Sequence, residues 1–353
     1  GSREERSLGV KQSGELIGEM SLLNPGSRRT ASVRVRGAAR LLEMSRADFD
    51  ALRRREPTFA YELARVLSMR LQASDAATIR DLQAKNRELE QAYRELQAAQ
   101  AQIIEKERLE RELAVARRIQ LSMLPRTLPR VEGFDFAALT IPAHAVGGDF
   151  YDFIVLGEDR LGIVVGDVMG KGVGAALFMA ATRSLLREEA VRTGTPQAVL
   201  ENVNEQLLQM NDEGVFVTVL YGVLQGTTRD FVYARAGHEL PLLVDASGAV
   251  MTLPRGQGVP LAIMPDLDLD EQTVTMTPGS TLVLYTDGVT DTTNGEGTCF
   301  GPEQLCEVLK SSRAAPAQQI CDTVLQAVRL HQGAAPQADD VTLVAVCSCS
   351  TAG

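Results

Sequence analysis

The chain has 353 residues, 44% of them hydrophobic and 23% charged, as expected for a globular protein of two or three domains. No stretch reaches the roughly 18 consecutive apolar residues that a membrane helix needs, so we expect no membrane span. The net charge of −10 is uneven, because residues 1–132 carry 25 Lys and Arg against 19 Asp and Glu, whereas residues 133–353 carry 11 against 27. The acidic second part would repel a phosphate backbone, which argues against nucleic-acid binding. The five cysteines lack CxxC spacing and predict reduced thiols in a cytoplasmic protein.

The first segment mixes strand-like and helical patterns. ASVRVRG (31–37) alternates and ARLLEMS (39–45) runs apolar, so both predict short strands. From Arg46 to about residue 70 the apolar spacing becomes helical, with Pro57 at a position suited to a first helical turn.

Residues 72–124 contain neither glycine nor proline and predict one long helix. One apolar position recurs every seven residues, and a second set falls at the matching core position of a heptad. The two sets are Leu82, Leu89, Leu96, Ile103 and Ile79, Asn86, Tyr93, Gln100. The pattern favours a coiled coil that joins two copies into a homodimer, and the alternative is a helix packed on its own domain.

The stripe on this helix changes phase after Ile104. It continues through Leu109, Leu113, Ala116 and then either Ile119 or Gln120. Such a phase change can locally unwind a supercoil. Pro125 and Pro129 predict that the helix ends near Leu124.

The remaining segment predicts an α+β domain, because strands occur in runs and helices in pairs. Short turns between neighbouring strands favour antiparallel pairing. Strands are expected near 134–141, 150–156, 160–166, 215–224, 229–236, 240–245, 250–253, 272–276, 281–286 and 341–347. Helices are expected near 174–192, 196–211, 302–312 and 315–332.

The stretch VVGDVMGKGVGAALFMA (164–180) looks like a phosphate loop but carries an acid, Asp167, in its turn. The Walker pattern fails, because three rather than four residues separate Gly166 from Gly170, and Gly172 replaces the Ser or Thr. The dinucleotide pattern G-x-G-x-x-A is present, but a second helix follows where a second parallel strand is required. The loop is therefore not interpreted as a nucleotide site.

Other acids stand at strand ends in the same way. Asp149 follows two glycines, the apolar strand in TLVLYTDG ends at Asp287, and Asp339 and Asp340 begin DDVTLVAV. Gathered at one edge, these acids would repel each other unless hard divalent cations such as Mg²⁺ or Mn²⁺ were bound. The alternative is that each acid only caps a turn.

Six ordered motifs carry a family resemblance over residues 133–349. They are GGDFYDF, GDVMGKGVGAALFM, FVTVLYGVL, AGHELPLL, LVLYTDGVTD and DDVTLVAV. In this order they resemble the stage II sporulation protein E-like branch of the metal-dependent (PPM, type 2C) Ser/Thr protein phosphatases. The resemblance implies an α-β-β-α sandwich, with two sheets between helix pairs.

The same resemblance implies a site with two Mn²⁺ or Mg²⁺ ions. Asp167 would bridge them, with the Val168 carbonyl and Asp149 on the second metal and Asp287 and Asp339 on the first. Asp340 is the less favoured ligand of its pair. Asp167, Asp287 and Asp339 would be catalytic, because the metals activate a hydroxide that attacks phosphoserine or phosphothreonine. Lys171 could contact the phosphate, or could be solvated or capping.

GELIGEMSLLNPGSRRTASV (14–33) resembles the phosphate-binding cassette of cyclic-nucleotide-binding domains. The resemblance implies that Glu19 meets the ribose hydroxyl, while Arg29 and Thr30 meet the cyclic phosphate. It covers about residues 8–71, only the second half of such a domain.

The sequence thus predicts a partial β-roll sensor domain (1–71), a coiled-coil linker helix (72–124) and a phosphatase domain (125–353). The predicted function is a Ser/Thr protein phosphatase of bacterial signalling, regulated through its N-terminal part. The implied substrate is a phosphorylated STAS-type anti-anti-sigma protein. The alternatives are a catalytically inactive scaffold with the phosphatase fold, and a module that mainly senses cyclic nucleotides.

Overall fold

The computed structural model describes residues 10–24 and 31–349. It divides into two compact units, Gly1–Gln102 and Ile103–Gly353. The boundary between them falls within one long helix.

The regular secondary structure in the described part of the first unit is helical. It contains α1 (Glu19–Leu23), α2 (Arg46–Arg55) and the start of α3 (Pro57–Met123). Ser45 caps α2 by accepting a hydrogen bond from the Asp48 N–H over 3.2 Å. Pro57 opens α3, as the sequence predicts.

The strands expected at ASVRVRG and ARLLEMS are wrong, because residues 31–45 form no strand. Their side chains are exposed, and no neighbouring strand of the described chain pairs with them. Alternation gives a segment the pattern of a strand, but the backbone hydrogen bonds of a strand require a partner.

Helix α3 contains 67 residues without interruption. It therefore begins 15 residues before the linker predicted from composition and heptads, and it ends at Met123, next to the expected Leu124. No helix in the two described ranges combines the length and the apolar character of a membrane span.

The second unit carries two five-stranded antiparallel sheets, and its strand bounds match the predicted ones within about two residues. In chain order the elements are β1 (Phe134–Ile141), β2 (Phe150–Val155), β3 (Arg160–Val168), α4 (Val173–Arg192), α5 (Pro196–Gln209), β4 (Val217–Gln225), β5 (Asp230–Ala236), β6 (Leu242–Val244), β7 (Val250–Thr252), β8 (Glu271–Thr275), β9 (Thr281–Tyr285), α6 (Asp287–Thr290), α7 (Gly301–Ser311), α8 (Ala317–Gln332) and β10 (Val341–Ser348). The sheet orders are β1-β10-β9-β6-β7 and β2-β3-β4-β5-β8.

Each sheet is covered by one helix pair. Helices α7 and α8 contact the first sheet, and α4 and α5 contact the second. Alternate residues of β10 enter different cores, since Val344 and Val346 belong to the core between the sheets while Leu343 and Ala345 belong to the core beneath α7 and α8. The α-β-β-α sandwich implied by the motifs is therefore confirmed.

Candidate metal centre

The predicted site residues lie where strands of the two sheets begin or end. Asp167 and Val168 end β3, and Phe150 pairs with Gly166, so Asp149 lies next to Asp167 across β2 and β3. Asp287 follows β9, and Asp339 and Asp340 precede β10, the neighbour of β9 in the other sheet. Sheet pairing alone brings the acids together in two groups.

Asp340 ties the two groups together. Its Oδ1 accepts a hydrogen bond from the Ala143 N–H over 2.7 Å, and its Oδ2 accepts from the N–H groups of Gly148 (2.8 Å) and Asp149 (3.4 Å). Both carboxylate oxygens are thus directed at the loop between β1 and β2. A buried carboxylate with several amide donors is well compensated, and here it fixes the loop that carries Asp149.

Thr286 holds the Asp149 side chain from the first sheet. Its hydroxyl donates to Asp149 Oδ2 over 2.6 Å and accepts from the Thr342 N–H over 3.0 Å. Thr286 is fully buried, so this hydrogen-bond chain is shielded from water. No sequence pattern pointed to Thr286, although it stands directly before Asp287 in the TDG motif.

Two glycines allow the backbone to approach the acids closely. A Cβ on Gly148 would lie 2.7 Å from the Val168 carbonyl oxygen, and a Cβ on Gly288 would collide with the Asp340 carbonyl oxygen. Neither position has room for a side chain, so both motifs need glycine for packing.

Mutual repulsion and burial raise the pKa values of the inner acids. The pKa of Asp167 is raised to about 7, first by burial and then by the charge of Asp287, while a hydrogen bond with the Asp149 carboxyl acts in the opposite direction. Burial and then the charge of Asp167 hold the pKa of Asp149 well above its usual range. Two neighbouring buried carboxyls with raised pKa values share protons when no cation compensates their charge.

Asp287 belongs to the same electrostatic group. Burial, followed by the charge of Asp339, raises its pKa to about 6, with further contributions from Asp291 and Glu239. Neither Asp291 nor Glu239 was predicted as a site residue. Glu239 lies in the AGHELPLL motif, and its place in this motif was the sequence feature that could have identified it.

Asp339 has a cationic partner, Lys171. The Lys171 Nζ lies 3.1 Å from Asp339 Oδ2 and donates a hydrogen bond to the Ala338 carbonyl. Both side chains are 45% exposed. The half-exposed Lys171, considered above as a phosphate contact or as a solvated or capping lysine, is paired with a predicted metal ligand.

Gln120, near the end of α3, forms a double hydrogen bond with the loop next to the acids. Its Nε2 donates to the Gly147 carbonyl over 2.6 Å, and its Oε1 accepts from the Gly147 N–H over 3.1 Å. Gln120 is 7% exposed and Ile119 is 52% exposed, so Gln120 is the inward member of the two stripe alternatives. The polar residue Gln120 at a position of the apolar stripe was the sequence feature that could have predicted this contact with Gly147.

His238 lies beneath Asp167. Its Nδ1 is 2.9 Å from the Thr218 hydroxyl, which in turn donates to the Asp167 carbonyl over 3.4 Å. Burial and then the charge of Arg235 lower the pKa of His238 to about 3, so the ring is neutral. Its position supports the backbone of β3 and does not contact the carboxylates.

The predicted nucleotide residues are only partly described. Glu19 accepts a hydrogen bond from Arg70 over 3.0 Å, and Arg70 also donates to the Leu16 carbonyl over 3.1 Å. Arg29 and Thr30 lie outside the described residues.

No group of three or more His, Cys, Asp or Glu side chains within residues 10–24 and 31–349 is already arranged to hold a metal ion. The contacts above give the physical reason. Asp340 is turned toward backbone amides, Asp339 toward Lys171, and Asp149 toward Thr286. The acids are neighbours, but their oxygens do not converge on one point.

Comparison with protein families identifies the larger unit. The model of the stage II sporulation protein E (SpoIIE) family matches residues 157–348, just over half of the chain. The chain belongs to this family. The cyclic nucleotide-binding domain model matches residues 1–56, which confirms the resemblance of the N-terminal segment.

Two curated relatives match about two thirds of this SpoIIE-family chain. Protein IcfG of Synechocystis is 32% identical over 262 residues, covering 67% of this chain and 41% of IcfG. Phosphoserine phosphatase RsbU of Bacillus subtilis is 29% identical over 240 residues, covering 66% of this chain and 69% of RsbU. The chain thus spans less than half the length of one of these relatives.

A solved structure supports the fold. The SiaA-PP2C domain of Pseudomonas aeruginosa superposes with a TM-score of 0.61 at 24% identity, covering 68% of this chain and 97% of that domain. At this identity the likeness concerns the fold alone, and it agrees with the two antiparallel sheets between helix pairs.

Proposed function

We propose that this SpoIIE-family chain is a metal-dependent protein phosphatase that hydrolyses phosphoserine or phosphothreonine in bacterial signalling. The observation that carries the proposal is the set of neighbouring acids Asp149, Asp167 and Asp287, whose pKa values are raised by burial and by the charges of nearby acids. Such a set costs stability unless it serves to bind positive charge.

The donor set fits hard divalent cations. Carboxylates of Asp149, Asp167, Asp287 and Asp339 and the carbonyl of Val168 offer only oxygen, which Mg²⁺ and Mn²⁺ prefer. In this proposal Asp167 would contribute to both cations, Asp287 and Asp339 would hold the first, and Asp149 and the Val168 carbonyl would hold the second. Asp340, predicted as the less favoured ligand, is better suited to orient the loop, since both its oxygens already accept backbone hydrogen bonds.

When bound, two divalent cations supply an acidified water and compensate the charge of the phosphoryl group. The chain then has to keep its ligands oriented. Thr286 directs one oxygen of Asp149, and Asp340 holds the Gly148–Asp149 backbone. Because Gly148 has no side chain, it does not cover the Val168 carbonyl oxygen next to it.

The substrate class belongs to the same proposal. A phosphorylated STAS-type anti-anti-sigma protein is the substrate that the family resemblance implies. The family match and the name of RsbU as a phosphoserine phosphatase support a phosphorylated protein as substrate. We place this reaction in the cytoplasm, following the unpaired cysteines.

A homodimer through residues 72–124 is also part of the proposal. The apolar heptad residues of α3 are exposed in the single chain, although each is large enough to bury substantial area. These residues are Ile79, Leu82, Leu89, Tyr93, Leu96 and Ile103. A second copy of the same helix would cover them in register.

Regulation would reach the site through the end of α3. Gln120 is bound to Gly147, and Gly147 adjoins the Gly148–Asp149 segment that Asp340 holds. A shift or rotation of the last turns of α3 would therefore displace the loop that carries Asp149. A cyclic nucleotide bound through Glu19, Arg29 and Thr30 remains the proposed input, and calorimetry with cAMP and cGMP tests it directly.

The test of the phosphatase is Mn²⁺-dependent hydrolysis of p-nitrophenyl phosphate and of a phosphorylated STAS-domain protein. The wild type should turn over both, and Asp167→Asn should reduce turnover at least about 100-fold, as expected when a central electrostatic group is lost. Asp322→Asn removes the same charge from the exposed face of α8 and is the matched control. No metal-dependent turnover of either substrate by the wild type would favour the inactive scaffold.

A further inference from the structure

Lys171 lies in the loop between β3 and α4, four residues after Asp167. Its ammonium group is 3.1 Å from Asp339 Oδ2 and also donates to the Ala338 carbonyl. One cation is thus shared by two oxygens of the segment that leads into β10. This contact joins the loop after Asp167 to the opposite sheet.

The position of this ammonium group is that of a competing cation. In the described residues, the pair with Lys171 is the one salt bridge formed by any of the five predicted metal acids. A lysine ammonium is a compact point charge, so it can satisfy a carboxylate much as a metal ion does. One carboxylate oxygen of Asp339 cannot bind a metal ion and pair fully with the Lys171 ammonium group at the same time.

We propose that Lys171 is a displaceable internal counter-ion, which holds Asp339 in the metal-free protein and releases it when a divalent cation binds. The inference rests on the proposed function only in taking Asp339 as a metal ligand. Metal binding and movement of the loop that carries Lys171 are then one coupled event. Part of the binding free energy of the divalent cation is used to release Lys171. The Lys171–Asp339 salt bridge therefore lowers the apparent affinity of the site for the cation.

The loop is built so that this release disturbs little else. Gly170 and Gly172, on either side of Lys171, have φ angles of 93° and 84°, a region that favours glycine. A Cβ at either glycine would meet no atom within 4 Å. Helix α4 begins after Gly172 without a side-chain cap, so no capping bond has to break when the loop moves.

Titration calorimetry of Mn²⁺ in the absence of substrate tests the inference on the full chain. Lys171→Gln keeps a flexible polar side chain but removes the charge, and it should bind Mn²⁺ about twofold to fivefold more tightly, the range expected for a half-exposed ion pair. Lys171→Arg keeps the charge and should stay within about twofold of wild type. Lys310→Gln, whose lysine pairs with Glu307 on α7, removes an equal charge elsewhere and should leave the affinity unchanged.

Wild-type or weaker Mn²⁺ affinity in Lys171→Gln overturns the inference, and so does equal tightening in Lys310→Gln or Lys171→Arg. Asp167→Asn separates this failure from that of the proposed function. If Asp167→Asn loses Mn²⁺ binding while Lys171→Gln is unchanged, the metal site stands and only the counter-ion role fails. If the wild type binds no Mn²⁺, both are overturned.

Hydrogen exchange gives a readout that does not depend on affinity. In chelator, amides of residues 169–173 should exchange faster in Lys171→Gln than in wild type, because the loop has lost its tie to β10. Adding Mn²⁺ to the wild type should bring its exchange in this loop toward that of the variant. A loop that becomes more protected in Lys171→Gln, or that exchanges identically in both proteins, contradicts the inference.

Discussion

The side-chain amide of Gln120 and the peptide group of Gly147 form two reciprocal hydrogen bonds, of 2.6 and 3.1 Å. A buried amide donor and acceptor that lose their partners cost about 1–3 kcal/mol. We therefore expect Gln120→Leu to lower the free energy of unfolding by this amount in urea denaturation. If the loop next to Asp149 is positioned through this contact, Mn²⁺ binding should also weaken by about tenfold.

Ile119→Ala is the control for Gln120→Leu, because Ile119 is exposed on the same turn. It should leave both stability and Mn²⁺ affinity close to wild type. A Gln120→Leu protein with wild-type Mn²⁺ affinity would break the proposed connection between α3 and the metal centre, even if its stability fell.

Asp167 should make the metal-free protein less stable at high pH. Its pKa of about 7 exceeds the usual 3.8, so the folded state holds this proton more tightly than the unfolded state, and stability is lost as pH rises through about 7. In chelator at pH 8, Asp167→Asn should therefore be more stable than wild type, by about 1–3 kcal/mol. Thermal unfolding at pH 8 and pH 4 measures this, and the gain should be small at pH 4.

When Mn²⁺ is added, Asp167→Asn should become less stable than wild type. Wild type gains stability from the bound cation, whereas Asp167→Asn gains little. A variant that remains more stable than wild type in saturating Mn²⁺ would show that Asp167 does not bind the cation.

His238 should contribute a loss of stability in acid. Its pKa of about 3 lies below the usual 6.5, so the unfolded state takes up a proton first, and stability falls as pH drops from about 6.5 toward 3. At pH 5 this loss is about 2 kcal/mol relative to pH 7. His238→Gln should flatten the pH dependence of the urea midpoint in this interval, and the exposed His144→Gln should not.

Leu89 should control self-association of the full chain. Placing a charge in a coiled-coil core position is unfavourable, so Leu89→Arg should weaken the dimer at least about tenfold in sedimentation equilibrium. Leu177→Arg is a matched control, because Leu89 and Leu177 are both 67% exposed but Leu177 lies on α4. Equal effects of the two changes, or none from Leu89→Arg, would argue for a single helix.

Most of the second unit could be predicted because its signals are local and redundant. Apolar strands end in turns with glycine, and the acids stand at those ends, so both the elements and the neighbouring carboxylates follow from the sequence. The pairing of Gln120 with Gly147 could not, since it depends on where the end of α3 meets a loop 27 residues later. The different roles of Asp339 and Asp340 are likewise set by the direction of the backbone. They cannot be inferred from two adjacent identical residues.

The first unit shows the opposite limit. ASVRVRG has the alternation of a strand, but the described chain supplies no strand to pair with it. Heptad spacing predicted the helix from residue 72, and Pro57 predicted a helix start, but the sequence did not show that both belong to one continuous helix, because the residues before the heptads carry a different stripe. A sequence pattern identifies the secondary structure that a segment favours, and the neighbouring elements determine whether it forms.

The heptad stripe and Gln120 lie on one uninterrupted helix, α3, and this makes the length of the intervening chain significant. Each residue added to an α-helix turns everything beyond it by about 100°. Seven residues inserted between Ile103 and Gln120 would return Gln120 to within about 20° of its present direction, whereas two residues would turn it by about 200°. Fusions that exchange this helix with that of another protein must therefore preserve its phase, because a linker of suitable composition but wrong length would turn the heptad stripe relative to Gln120.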